Sequence, residues 1–442
     1  MLSHNPRRTR ILGLALPIIG GMVSQNILNL VDTAMVGHLG DAALAAVGLG
    51  SFVSFMTMAL ILGISVGVQA TAARRKGEGR HDELAVALNA GLLVVLCVGP
   101  LFSAGLYLLA PVFYPYLISD PEVIALGTPY LQIRVLAIIF VASNFAFRGY
   151  WNAVDRSRLY MITLLIMHSC NIFLNYVLIF GKLGFPELGV TGAGIGTAVS
   201  TAIGTATYLF LGFKYARGEG FFRKMPTLKE VRQIVRLSIP SGIQQLFFSA
   251  GMTTMYWIIG QIGTAELGAA NVLINITLIA LLPGMAFGIS SATLVGQALG
   301  RGEPADAKRW AWDVVKVALV LLGALGLPMV LTPDLMLGIF LHNPETLDLA
   351  RAPMRLIGAT MAVEAVGVVL MHSLLGAGDV HRVMRLSISC QWLYFLPLAY
   401  VIGPVLGYGL MAVWLLNVSY RAILAVLFAI MWQREKWMTI RI

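Results

Sequence analysis

Charge is scarce in this chain. Asp, Glu, Lys and Arg together supply 12% of its 442 residues, about half the share found in a soluble globular domain, which excludes an ordinary aqueous enzyme. Cysteine is scarcer still. Cys97, Cys170 and Cys390 all lie inside apolar stretches, with no CxxC and no His/Cys ligand spacing, so a disulfide scaffold and a zinc site are excluded. Catalytic signatures are missing too: there is no HExxH, no Walker A, and no GxSxG followed by a triad. Gly192-Ala193-Gly194-Ile195-Gly196 is glycine-rich but sits within an apolar run, where small residues let helices approach rather than cradle phosphate.

What the chain has is apolar length. Hydrophobic residues make up 58% and mean hydropathy is +0.81, more than one aqueous core can hold. At about 20 residues per span, the sequence reads as an all-α polytopic membrane protein of twelve transmembrane helices. They are placed near 11–36, 42–72, 84–117, 123–149, 157–180, 191–215, 233–262, 267–299, 309–340, 347–376, 382–403 and 408–432. The run that follows Arg7, Arg8 and Arg10 is too long for a signal-peptide core and is expected to stay as the first span.

The formal charge of +10 falls in short basic clusters between spans, which read as topology signals and not as a nucleic-acid surface. Arg74 to Arg80, Arg156 and Arg158, the run from Lys214 to Arg236, Arg301 to Arg309, Arg382 and Arg385, and Arg434 to Arg441 all fall on one side. That side is expected to be the cytoplasm, with both termini inside an inner-membrane protein. Opposite loops are nearly free of base, apart from Lys182, Arg351 and Arg355.

The chain also repeats itself at an offset of about 223 to 225 residues. Leu16-Pro17 returns as Ile239-Pro240, Gly63-Ile64-Ser65 as Gly288-Ile289-Ser290, Lys76-Gly77-Glu78 as Arg301-Gly302-Glu303, and Asp120-Pro121-Glu122 as Asn343-Pro344-Glu345. Ordered matches of this kind mark a duplicated unit. Six spans per copy make the copies parallel, related by an axis along the membrane normal. The expected organisation is a bundle over 1–216, a cytoplasmic linker over 217–232 with a short surface helix from Thr227 to Leu237, and a second bundle over 233–442.

Ionisable groups within spans are costly and therefore functional candidates. Asp32 in the first span and Glu364 in the tenth are the acids that sit well inside. Asp32 shares its helix with Pro17, which removes a backbone hydrogen bond and lets the helix kink, so a charge change there can bias a bendable element. The alternative is a neutral carboxyl satisfied by a neighbouring amide. Asn171 and Asn175 lie four apart on one face of the fifth span, and Thr197 can approach from the sixth; their oxygens suit a sodium ion as well as a proton on Asp32. Such amides also join helices. In the second half, Gln244, Gln245, Phe248 and Tyr256 offer polar and aromatic surface around Glu364, which can take a proton, a cation or a cationic drug. Arg134 and Arg421 are expected to snorkel to an interface, and His168 and His372 to be packed and hydrogen-bonded.

These residues carry a resemblance. Val31-Asp32-Thr33-Ala34-Met35-Val36-Gly37, the run Asn171 to Tyr176, and the paired endings at Asp155 and Asp379 resemble the multidrug and toxic compound extrusion (MATE) transporters over the whole chain. The resemblance implies two pseudo-symmetric six-helix bundles around a central cavity. It implies export of amphipathic, mostly cationic drugs and toxic organic cations in exchange for sodium or protons, with no cofactor and a monomer in membrane lipid. By motif, Asp32 is similar to the family's coupling carboxylate and Pro17 to its kink proline. Asn171, Asn175 and Thr197 match the surrounding cluster, and Glu364 matches the tenth-helix acid of the norfloxacin-exporter branch. Two positions depart: Asn175 replaces an Asp of archaeal-type members, and Phe248 replaces a seventh-helix Glu, which argues against a cation site shared between helices seven and ten. The competing functions are a lipid-linked oligosaccharide flippase, which would line its cavity with cations, and a membrane-embedded enzyme, which would need converging catalytic groups.

Overall fold

The structure is a computed structural model that describes residues 6–442; the first five residues of the expected first bundle lie outside them. Among the described residues every regular element is a helix. Helices α1 (Pro6–Gly37), α2 (Asp41–Gly77), α3 (Val86–Leu117), α4 (Pro121–Leu136), α5 (Ile138–Ala153), α6 (Ser157–Phe180) and α7 (Gly189–Tyr215) precede the middle of the chain. After it come α8 (Leu228–Gly260), α9 (Thr264–Gly300), α10 (Pro304–Leu331), α11 (Pro333–Leu337), α12 (Pro344–Gly376), α13 (Val380–Ser389), α14 (Leu396–Tyr400) and α15 (Gly409–Gln433). Among the described residues, ten helices are long and apolar enough to cross a membrane, and the bent pair α4–α5, taken as one span, makes an eleventh. Helix α8 has the length of the twelfth but falls short in apolar content, because Gln244, Gln245, Thr253 and Thr254 dilute it. The protein is an all-α integral membrane protein.

Two expected single spans are broken and a third is continuous but irregular, each for a local reason. The fourth bends by 46° between α4 and α5. There Ser103 Oγ of α3 donates to the carbonyl of Val135 at 2.7 Å, taking an acceptor at the point where the helix turns. The ninth ends at Leu331, and Pro333 opens α11, since proline has no N–H to continue the ladder. In the eleventh, π-helical turns at Cys390–Phe395 and Val401–Val405 flank α14, where Pro397 and Pro404 interrupt the regular bonding. The expected surface helix from Thr227 to Leu237 is instead the start of the continuous α8.

Packing divides the described residues into two compact units, residues 17–242 and residues 6–16 with 243–442. These do not coincide with the expected boundaries at 216 and 233, because each copy gives up the start of its first helix. Arg7 is the anchor of one exchanged segment: it pairs with Asp306 and, at 2.8 Å, with Asp313, and its guanidinium lies 4.4 Å from the Trp310 ring centroid. Glu230, at the repeat position of Arg7, anchors the other by pairing with Arg75 of α2. Close backbone packing reinforces that second exchange. A Cβ on Gly63 would meet the Ser238 carbonyl and the Gly242 amide, so only glycine lets α2 and α8 lie this close.

The linker, 217–232, is folded into the unit of residues 17–242. Asn89 Nδ2 donates to the carbonyls of Gly220 and Lys224, both at 2.9 Å, and the hydrogen bond from Lys224 to Asp82 pushes the ammonium's pKa upward.

Candidate functional site

Helices α6 and α7 form the polar centre of the unit of residues 17–242, with α1 supplying the acid. The one-face spacing of Asn171 and Asn175 aims both amides the same way. Asn175 Nδ2 donates to Asp32 Oδ1 at 2.8 Å and to Asn171 Oδ1 at 3.0 Å. Asn171 Nδ2 donates in turn to Ser200 Oγ of α7 at 3.0 Å. Both asparagines and Ser200 are 1% exposed, so this chain of bonds lies out of solvent, while Asp32 is half-buried.

Asn175 Oδ1 is buried with no hydrogen-bond partner among the described residues. A buried amide oxygen without a donor costs free energy, and here it stands beside a carboxylate. It has room only because residue 196 is glycine, since a Cβ there would collide with it. Thr197, expected at the cluster, turns its hydroxyl onto its own helix, donating to the Ala193 carbonyl at 2.9 Å. Ser200, one turn on, makes the contact instead. The sequence did not single out Ser200, although its spacing from Thr197 places both on nearly the same face.

Arg134, expected to snorkel, is half-buried, and its Nε is buried without a hydrogen-bond partner among the described residues, so the guanidinium is not simply drawn out to an interface. Pro17 lies buried inside the continuous α1 at the first residue of its unit. Two turns beyond it, His168 of α6 bridges Ser24 and Gln25 of α1, with Nδ1 3.0 Å from Ser24 Oγ and Nε2 3.1 Å from Gln25 Oε1.

The second-half residues do not converge on one pocket. Glu364 accepts from Arg421 Nη1 at 3.1 Å, and Arg421 Nε donates to Asn417 Oδ1 at 3.2 Å. The side chains of the pair are 12% and 19% exposed, so Arg421 is an internal counter-ion and not a snorkelling residue. The cavity beside them, lined also by Met252, Met361 and Trp414, measures about 30 Å³. That admits a water or two and no drug-sized molecule. Tyr256 lines a separate open hollow of about 700 Å³ with Trp257 and Asn271. Gln244 instead donates to Ser387 Oγ at 3.3 Å, and the Phe248 carbonyl accepts from Gln391 Nε2 at 3.3 Å. Gln245 is half-buried.

A duplicated helical membrane protein with a buried acid–amide cluster in its first copy is built as a transporter. The MatE family model matches residues 17–177 and 240–401, two stretches that begin at the two repeated prolines. The chain therefore belongs to this family, the MATE multidrug efflux transporters, which are transporters and not enzymes. Among curated relatives, the probable multidrug resistance protein NorM of Thermotoga maritima is 26% identical over 446 residues, covering 97% of this chain and 93% of the relative. The probable multidrug resistance protein NorM of a Synechococcus species is 29% identical over 423 residues, covering 92% and 89%. An outward-facing multidrug resistance MATE family transporter of the MOP superfamily superposes with a TM-score of 0.89 at 20% identity, covering 98% and 97%. Solved structures of a MATE in bent and straight conformations give TM-scores of 0.89 and 0.88, each at 20% identity, covering 98% of this chain and 96% and 97% of theirs.

Proposed function

We propose that this transporter is a secondary antiporter of the inner membrane that exports amphipathic, mostly cationic compounds in exchange for sodium ions or protons, with Asp32 as its coupling group. The observation that carries the reading is the pairing of Asp32 with Asn175, an amide whose oxygen is buried and unpartnered. A sodium ion would find carboxylate and amide oxygens on Asp32, Asn171 and Asn175, the hard oxygen donors such a cation takes. A proton would sit on Asp32 itself, with Asn175 bonded to the remaining carboxyl oxygen. Either cation neutralises a charge on a helix that carries Pro17, and so changes the relative free energy of two shapes of α1. Alternating access follows if the coupling ion and the exported compound favour different shapes.

In this reading the two six-span copies, 1–216 and 233–442 in chain order, are joined by a cytoplasmic linker, both termini face the cytoplasm, and each copy gives up the start of its first helix to the other compact unit. Glu364 and Arg421 act as a neutral pair that influences substrate range. The decisive experiment is drug export in proteoliposomes with sodium and proton gradients imposed separately. Export driven by either gradient supports antiport, and export driven by neither overturns it.

A further inference from the structure

Both copies hold the proline-bearing helix against the fifth helix of the copy at the same place. In the first, His168 of α6 touches Ser24 and Gln25, two turns past Pro17. In the second, Gln391 Nε2 donates to the Phe248 carbonyl at 3.3 Å and Trp392 Nε1 to the Phe247 carbonyl at 3.1 Å, two turns past Pro240. Ser24 and Gln25 correspond to Phe247 and Phe248 at the 223-residue offset of the two prolines, and His168 corresponds to Trp392 at the 224-residue offset of Asp155 and Asp379, with Gln391 beside it. The contact has outlived the residues that make it, because histidine with side-chain partners in one copy does what tryptophan and glutamine with main-chain partners do in the other.

We propose that His168 is a positioning residue for the coupling site: it latches α1 to α6 and so sets the approach of Asp32 to Asn175. This rests on the reading of Asp32 as the coupling group. The geometry makes the latch two-ended. A neutral ring with its hydrogen on Nε2 donates to Gln25 Oε1 and accepts at Nδ1 from the Ser24 hydroxyl, whose single hydrogen turns to the ring from the Gly21 carbonyl, 2.8 Å away. Gln25 is itself oriented, donating through Nε2 to Asn29 Oδ1 at 3.2 Å. His168, Asn171 and Asn175 succeed one another at helical spacing on one face of α6. The bond from Asn175 to Asp32 and the bonds from His168 to Ser24 and Gln25 are thus two rungs between the same two helices. Removing the lower rung frees the segment of α1 between Pro17 and Asp32, and the upper rung alone must then hold the acid in place.

The repeat itself supplies the control. Gln391 shows that a glutamine can make this helix-to-helix contact, and a glutamine at 168 offers an amide N–H and an amide oxygen to the same partners. His168→Leu is expected to raise the coupling-cation concentration for half-maximal export about tenfold while drug binding without the cation stays unchanged, and His168→Gln to restore it to within about twofold. In parallel, nitroxide labels at exposed Ile27 and Ile162, in a background with the three native cysteines replaced, should show a broadened distance distribution in the leucine variant and a native one in the glutamine variant. A leucine variant with native ion dependence, or a glutamine variant as defective as leucine, overturns the proposal. If the leucine variant fails to reach the membrane, Ser24→Ala combined with Gln25→Leu removes the same rung from α1 and faces the same two readouts. The label distances report the latch alone. If Asp32→Asn leaves coupling intact, the reading of Asp32 fails while the distances still decide whether the latch exists.

Discussion

Asn175 holds Asp32 at 2.8 Å with the same amide nitrogen that it offers to Asn171 at 3.0 Å, so one side chain ties the acid of α1 to the polar face of α6. Asp32→Asn keeps the volume and most of the hydrogen bonding but removes the titratable charge. The variant should insert at the wild-type level and lose gradient-driven export to background. Asn171→Ala and Asn175→Ala should weaken ion dependence in a graded way, as measured by drug transport into proteoliposomes across a range of imposed ion gradients.

Gly196 gives a test that leaves every polar group in place. A methyl group there meets Asn175 Oδ1, whereas one on Gly48 meets nothing within 4 Å. Alanine is worth up to about 1 kcal/mol more than glycine in a helix, which offsets part of the cost of overpacking at 196, about 1–3 kcal/mol, so both variants should still insert. Gly196→Ala should weaken coupling about as much as Asn175→Ala, and Gly48→Ala should behave as wild type in the same transport measurement.

Glu364 and Arg421 should be probed together. Glu364→Gln alone strands a largely buried guanidinium, which can cost up to about 3 kcal/mol, so its thermal midpoint in detergent should fall. Glu364→Gln with Arg421→Gln removes both charges and should recover most of that loss. Arg421→Gln alone frees the carboxylate and should favour export of dications over monocations. A thermal double-mutant cycle showing simple additivity would contradict the pairing.

Topology has a direct readout. Cysteine substituted at Lys229, on the cytoplasmic side of the proposed arrangement, should resist a membrane-impermeant maleimide added to intact cells and react once the cells are opened. Labelling from outside would invert the arrangement.

Much of the architecture was legible because spans are local. Ser157–Phe180 matches the expected 157–180, and Gly409–Gln433 lies within a residue of 408–432, since hydropathy over about 20 residues and the polar breaks around it decide where a helix crosses lipid. The breaks were less legible. Pro333 announces the end of α10, but the bend between α4 and α5 coincides with Ser103, a residue on another helix that no window across the bend includes. The cluster was half legible in the same way: helical spacing placed Asn171 and Asn175 together, but it could not decide between Thr197 and Ser200, whose hydroxyls differ only in which way each turns.

By itself the sequence determined that this is a helical membrane protein, that it is a duplication, and which acids stand inside its spans, because each is a property of composition or of numbered spacing. The tertiary structure decided who meets whom. It gave Asp32 to Asn175, Glu364 to Arg421, and the first turns of α1 and α8 to the unit of the other copy through Arg7 and Glu230. Those pairings depend on which helices approach closely enough for a side chain of a few ångströms to reach. That distance is set by small residues such as Gly63, Gly196 and Gly242 on chain segments far apart in the sequence.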